Sequence, residues 1–118
     1  MILLNNESEN VSPEDFFKVN INCGTIKKVE DFPKARNPSY KIWVDFGNGM
    51  GVKQSSAQLT KVYRKEELLG KQILAVTNFP PRNIAGFKSE ILILGLDSPD
   101  GVVLLQPERT IVNGTRVY

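Results

Sequence analysis

Residues 78–89 read Asn78-Phe79-Pro80-Pro81-Arg82-Asn83-Ile84-Ala85-Gly86-Phe87-Lys88-Ser89. Strand-like runs flank them, with Lys71 to Phe79 leading in and Glu90 to Leu94 leading out. Pro80 and Pro81 lack a backbone N–H and hold φ near the extended value, so the ladder is expected to stop there and a stiff connection to follow. The residue before each proline is kept away from helix, and Gly86 lets the chain turn back into the next strand. Such a connection presents Arg82, Ile84, Phe87 and Lys88 at a fixed angle. Two cations interleaved with an aromatic ring and an apolar branch suit an anion, a nucleobase or an extended peptide. The alternative is a surface loop whose Phe87 plugs the core and whose cations are only solvated.

Outward from this stretch the chain is strand-rich. Tyr40, Ile42, Val44 and Phe46 alternate with Lys41, Trp43 and Asp45, and Gly47-Asn48-Gly49 predicts a hairpin turn into Met50 to Ser55. Trp43 falls on the otherwise polar face, as a subunit contact, a stacking platform or a ring lodged under a loop. Val19 to Phe32 reads as a long strand with a bend or bulge at Gly24. Phe32 to Pro38 is a proline-bounded loop carrying Lys34 and Arg36. Ser55 to Thr60 shows no strand pattern, and Glu66-Glu67-Leu68 predicts a helical turn closed by Gly70. Gly95 to Gly101 reads as a turn-rich link, Val102 to Gln106 as a short strand ended by Pro107, and Thr110 to Tyr118 as an extended tail turning at Asn113-Gly114. At the front, Ser12-Pro13-Glu14-Asp15 predicts a short helix with Ser12 as its cap, Phe16 and Phe17 tucking it against the body. Residues 1–11 are expected to form a flexible polar leader and residues 12–118 a single domain. This pattern predicts a mainly all-β fold: a five-stranded barrel of the oligonucleotide-binding type with a short N-terminal helix, small helical turns and an extended C-terminal tail. Strands 71–79 and 91–94 are apolar on both faces, so one face needs cover from a helix, the tail or a second subunit.

Composition narrows the function classes. With 118 residues, 41% hydrophobic and 24% charged, the chain has enough material for one real core. Its longest apolar runs, such as 91–94 and 102–105, are far too short to cross a membrane as helices. Met1 to Leu4 is apolar but has no basic residue before it and Asn5 after it, which does not read as a secretory signal; a cytoplasmic location is expected. The single cysteine, Cys23, excludes an intrachain disulfide and reads as a buried, inert thiol in a strand. The chain has no histidine, which removes histidine-based triads and metal sites. No Ser, Lys or carboxylate group is paired at a spacing that marks an active site, so no enzyme is expected. Net charge is +2, but all 15 Lys and Arg lie from Lys18 onward against nine of the 13 acids, leaving residues 16–118 at +6. A cationic body suits a polyanionic partner.

Two longer motifs carry a family resemblance. Asp45-Phe46-Gly47 followed by Gly51-Val52-Lys53-Gln54-Ser55-Ser56-Ala57-Gln58-Leu59-Thr60, and the stretch from Asn78 to Glu90, resemble the CsaA branch of the tRNA-binding-domain family, as do Val103-Leu104-Leu105-Gln106-Pro107 and Asn113-Gly114-Thr115. The resemblance runs from about Phe16 to the end. It implies an oligonucleotide-binding barrel that forms a homodimer, with no catalysis, metal or cofactor. It further implies a chaperone that holds unfolded or export-bound polypeptide segments and also binds tRNA or similar RNA; the alternative is a dedicated tRNA-binding module assisting an aminoacyl-tRNA synthetase. Carried over by position, the groove has Lys53, Ser55 and Ser56 on one side. Asn78, Pro81, Arg82, Ile84, Phe87, Lys88 and Ser89 form the other, with Lys34 and Arg36 on a cationic rim. A turn cap for the serine pair and a strand-end turn for Asn78 are the competing roles.

Overall fold

The computed structural model describes residues 10–118. Its elements in chain order are α1 (Pro13–Phe16), β1 (Ile21–Asp31), β2 (Tyr40–Asp45), β3 (Val52–Ala57), α2 (Lys65–Leu68), β4 (Gln72–Val76), β5 (Arg82–Ile84), β6 (Phe87–Ser89), β7 (Leu92–Ile93), β8 (Gly95–Ser98) and β9 (Gly101–Leu104). The reading of residues 1–9 as a leader lies outside the described residues.

The long strand β1 is the spine. Its second half pairs with β2 and its first half with β4, both antiparallel. β3 continues beyond β2 and β7 beyond β4, giving a five-stranded sheet in the order β3-β2-β1-β4-β7. The sheet curls into a nearly closed barrel of the expected type. The alternation in β2 is what fills it: Ile42, Val44 and Phe46 are at most 1% exposed and meet Ile26, Ile73 and Ala75 from the neighbouring strands. Leu59, Leu68 and Leu104 complete the cluster from the connecting segments.

Scattered hydrogen bonds, most of them made by side chains, join β3 to the segment that leads into β7, in place of a regular ladder. The Glu90 N–H donates to Gln54 O at 2.8 Å, and Glu90 Oε1 accepts the Gln54 N–H at 3.0 Å. Ser55 Oγ donates to Ile91 O at 3.1 Å, and Ser89 Oγ accepts the Ser56 N–H at 3.1 Å. The strip 54–56 is therefore sewn to 89–91.

Four expectations are corrected. Gly24 is not a bulge: it stays in register with Ile73, and the extra residue is Lys27, between the pairs Ile26–Val44 and Lys28–Trp43. Glycine is required at 24 because a Cβ there would lie 2.5 Å from Val44 Cγ1 and 2.8 Å from the Phe46 ring. The link 95–101 is half of a β-hairpin, β8 paired with β9, in which Ser98 Oγ accepts the Asp100 N–H and donates to Gly101 O across the turn. The connection after Pro80 and Pro81 is not free of ladder bonds, because β5 and β6 pair with each other. Their turn, Ala85-Gly86, has φ of 49° and 85°, both in the left-handed region that tight hairpins use. Strand β3 also runs on to Ala57, where no strand pattern was legible.

The ends behave differently from each other. Ser12 Oγ caps α1 by accepting the Asp15 N–H at 3.0 Å, as expected. Phe16 and Phe17, however, pack on each other and stay 43% and 40% exposed, so they do not pin the helix to the body. The tail takes the side of β1 that β2 leaves open. Cys23 N–H donates to Thr115 O, Gly114 N–H to Cys23 O and Val117 N–H to Ile21 O, all within 2.9 Å. Cys23 is buried, which pushes its thiol pKa up and keeps it protonated. Among the described residues no helix is long and apolar enough to cross a membrane.

Candidate functional site

The β5–β6 hairpin separates two cavities. Ile84 and Phe87 face each other across it in the register, yet Ile84 lines one cavity and Phe87 the other. On the Ile84 side, Arg36, Ser56, Arg82 and Leu92 enclose a cavity of about 480 Å³. It runs into a smaller hollow of about 230 Å³ that shares Ser56, Arg82, Ile84 and Leu92 and adds Phe79 and Pro80. Together they form a trough with an apolar floor and two guanidiniums in its wall. Arg36 reaches it from the β1–β2 loop and Arg82 from the first residue of β5. Glu90 also lines the hollow, with its Oε1 engaged by the Gln54 N–H.

On the Phe87 side, Phe32, Pro33, Lys34, Lys41, Ala85 and Gly86 join Phe87 around a cavity of about 390 Å³. Phe87 packs edge-on against Phe32 at 5.5 Å and against Trp43 at 5.8 Å between ring centres. The Lys41 ammonium lies 4.9 Å from the Phe32 centre and 5.1 Å from that of Phe87, and the Lys28 ammonium 4.7 Å from Trp43. Such contacts draw a cation to a ring face without neutralising it.

The site residues expected from sequence divide into three groups. Arg36, Ser56, Arg82 and Ile84 converge on the trough, and Ser89 lines its narrow end while holding the Ser56 N–H. Lys34 and Phe87 lie across the hairpin. The rest are placed elsewhere. Ser55 is buried and spends its hydroxyl on the barrel seam. Asn78 ties down the segment before β1, its Oδ1 accepting the Asn20 N–H at 2.8 Å and its Nδ2 donating to Lys18 O at 2.7 Å. Pro81 and Lys88 are exposed and Lys53 is half-buried, and none of the three lines either cavity.

Sequence reasoning missed Lys41, Leu92 and Phe32 as cavity residues. Lys41 sits on the same outward face of β2 as Trp43, a signal that was present but unread. Leu92 lies in a run apolar on both faces, so nothing local shows which side opens onto a cavity. Trp43, left open between three roles, is half-buried beneath Phe87, with its Nε1 donating to Gln54 Oε1 at 3.2 Å.

Comparison with known proteins identifies the family of the fold. Residues 21–116 match the family described as "Putative tRNA binding domain". The chain belongs to this family. Among solved structures it is similar to the CsaA chaperone protein of Picrophilus torridus, with 46% identity and a TM-score of 0.88 over 92% of this chain and 100% of that one. It is similar in the same way to the chaperone CsaA of Bacillus anthracis, at 47% identity and a TM-score of 0.87 over 93% and 100%. The resemblance to the CsaA branch therefore holds. Among curated proteins it is 35% identical over 109 residues to the methionine–tRNA ligase of Thermococcus onnurineus. It spans 92% of its own length there but only 14% of the ligase's.

Proposed function

We propose that this chain is a non-catalytic binding protein that holds extended polypeptide segments and binds tRNA-like RNA on the surface around the β5–β6 hairpin. The observation that carries this is the trough itself: a preformed apolar floor of Ile84 and Leu92 beside the guanidiniums of Arg36 and Arg82. An extended chain can lay apolar side chains on such a floor, while the guanidiniums take carboxylates or phosphates in bidentate fashion. RNA phosphates would be met by the same arginines, with Lys34, Lys53 and Lys88 extending the cationic field. Support comes from relatives whose names speak of a chaperone on one side and a tRNA ligase on the other.

The reading extends to a homodimer working in the cytoplasm, with residues 12–118 as one domain and 1–11 as a leader. The exposed pair Leu96–Val103 on the β8–β9 ribbon is the apolar surface that favours the dimer. The second reading is a dedicated tRNA-binding module serving a synthetase, favoured by the matches to a short part of methionine–tRNA ligases.

The test is fluorescence anisotropy of labelled bulk tRNA across a salt series, with an unfolded apolar peptide as competitor. Binding is expected to weaken steeply with salt, and Arg82→Ala should flatten the slope of log affinity against log salt by about one. Peptide should compete at the trough. A tRNA complex indifferent to every peptide favours the dedicated module; peptide binding without tRNA binding leaves a chaperone alone. If Arg82→Ala and Arg36→Ala leave both ligands unaffected, the trough is not the site.

A further inference from the structure

The cavity on the Phe87 side of the hairpin has a different chemistry from the trough. Its lining includes the buried Phe32 ring and the half-buried Phe87 ring, with the Lys41 ammonium over both rings and exposed Lys34 beside them. Among the described residues neither lysine is ion-paired. Glu30, the acid opposite Lys41 in the register, is engaged by Lys28 at 3.1 Å. Among the described residues no carboxylate lines the cavity. Two unneutralised cations beside rings packed edge to face select a ligand that is flat at one end and anionic at the other. A volume of about 390 Å³ lies near the lower end of small-ligand cavities, the scale of one nucleotide and too small for a helical duplex.

We propose that this cavity is a subsite for a single unstacked nucleotide of a bound RNA strand, its base against Phe87 and Phe32 and its phosphate between Lys34 and Lys41. The inference rests on the RNA-binding reading above and adds a location for it separate from the peptide trough. Base stacking on an aromatic side chain tolerates any base, so the subsite contributes affinity without sequence choice. The peptide trough and the nucleotide subsite lie on opposite sides of one hairpin, so a peptide too short to cross it does not expel the nucleotide.

Trp43 is the only tryptophan and its ring centre is 5.8 Å from that of Phe87, so its emission reports directly on the cavity. The experiment titrates the full chain with a short unstructured RNA oligomer and, separately, with adenosine 5′-monophosphate, following Trp43 emission and oligomer anisotropy together. The oligomer is expected to change Trp43 emission saturably, and the mononucleotide to do so at higher concentration and be displaced by the oligomer. Lys34→Gln with Lys41→Gln should weaken the oligomer roughly tenfold and flatten its salt slope by about 0.7, the single-strand value for the one phosphate held between them. Lys41→Gln alone should leave peptide binding at the trough unchanged, since Lys41 does not line it. Phe87→Leu, which keeps an apolar wall, should cost at least about fivefold through the lost stack. Oligomer binding that ignores both lysines, or that leaves Trp43 emission unmoved, overturns the subsite while RNA binding stands. Saturable binding of the mononucleotide with none of the oligomer replaces the RNA strand by a free nucleotide and overturns the proposal as stated. An unaltered chain that binds neither tRNA nor the oligomer at low salt overturns the RNA-binding reading, and the subsite with it.

Discussion

At the scale of single residues, the hydroxyls of the motif 53–60 show how a side chain can look like a ligand contact and serve the barrel. Ser55 is 1% exposed and its Oγ donates to Ile91 O across the seam. Removing it leaves a buried carbonyl without that donor, which costs about 1–3 kcal/mol. Ser55→Ala is therefore expected to lower the unfolding free energy measured in urea by that amount and to leave tRNA affinity of the folded protein unchanged. A large loss of affinity at unaltered stability would move Ser55 from the seam to the site. Its neighbour Ser56 faces the trough, one step along the strand and on the opposite side of it. A pair of adjacent serines cannot be sorted into these roles from sequence, because period-two alternation says only that they differ. Nor does sequence say that the partners sit 34–36 residues away at Ser89 and Ile91. Gly24 has the same history: glycine in a strand was legible as a special position, but its cause, the Val44 and Phe46 side chains in and just past the neighbouring strand β2, was not.

At the scale of elements, the β5–β6 hairpin holds both cavities apart, so its turn is where stability and binding meet. Ala85 is the one described non-glycine residue with positive φ, at 49°, in a position that tight hairpins give to Asn, Asp or Gly. The left-handed conformation costs an ordinary L-residue about 1–2 kcal/mol, and Asn lowers that cost by bonding locally. Ala85→Asn should slow amide exchange across 82–89, and Gly86→Ala, at φ 85°, should speed it by a corresponding 1–2 kcal/mol. The reverse ordering would mean that packing of Phe87 on Phe32 and Trp43, not the turn, holds the hairpin. Here too sequence and structure part in an instructive way. β4's ladder stops at Val76, before Pro80 and Pro81 are reached, whereas Gly86 does turn the chain. The pairing of Arg82–Ile84 with Phe87–Ser89 was hidden because three-residue strands carry too little alternation to register. In contrast, the six-residue alternation of β2 and the capped start of α1 were readable outright, since in each the deciding contacts are local or repeated.

At the scale of the whole molecule, charge and apolar surface point outward in different places. The cations that face the cavities gather around the hairpin, whereas Leu96 and Val103 stand opposite each other on the β8–β9 ribbon, 60% and 36% exposed. If that ribbon is the dimer contact, Leu96→Glu with Val103→Lys should convert the proposed dimer to monomer in sedimentation equilibrium while sparing the fold. A mass unchanged by the pair would place the contact elsewhere, and a monomeric parent chain would dispose of the dimer. Barrel type and family were legible because they rest on long motifs and strand periodicity; the arrangement of the two cavities was not, because each is assembled from loops far apart in the chain. That same assembly has a consequence for biosynthesis. Among the described residues the bare side of β1 at residues 21–23 is covered by residues 114–117, with Asn22 Nδ2 reaching Gly114 O across 92 positions. As the chain leaves the ribosome, β1 emerges well before its partner at 114–117, so a strand edge stays open while the residues between them are made. A protein proposed to shelter other unfolded chains thus spends its own synthesis with an edge of the kind that needs sheltering.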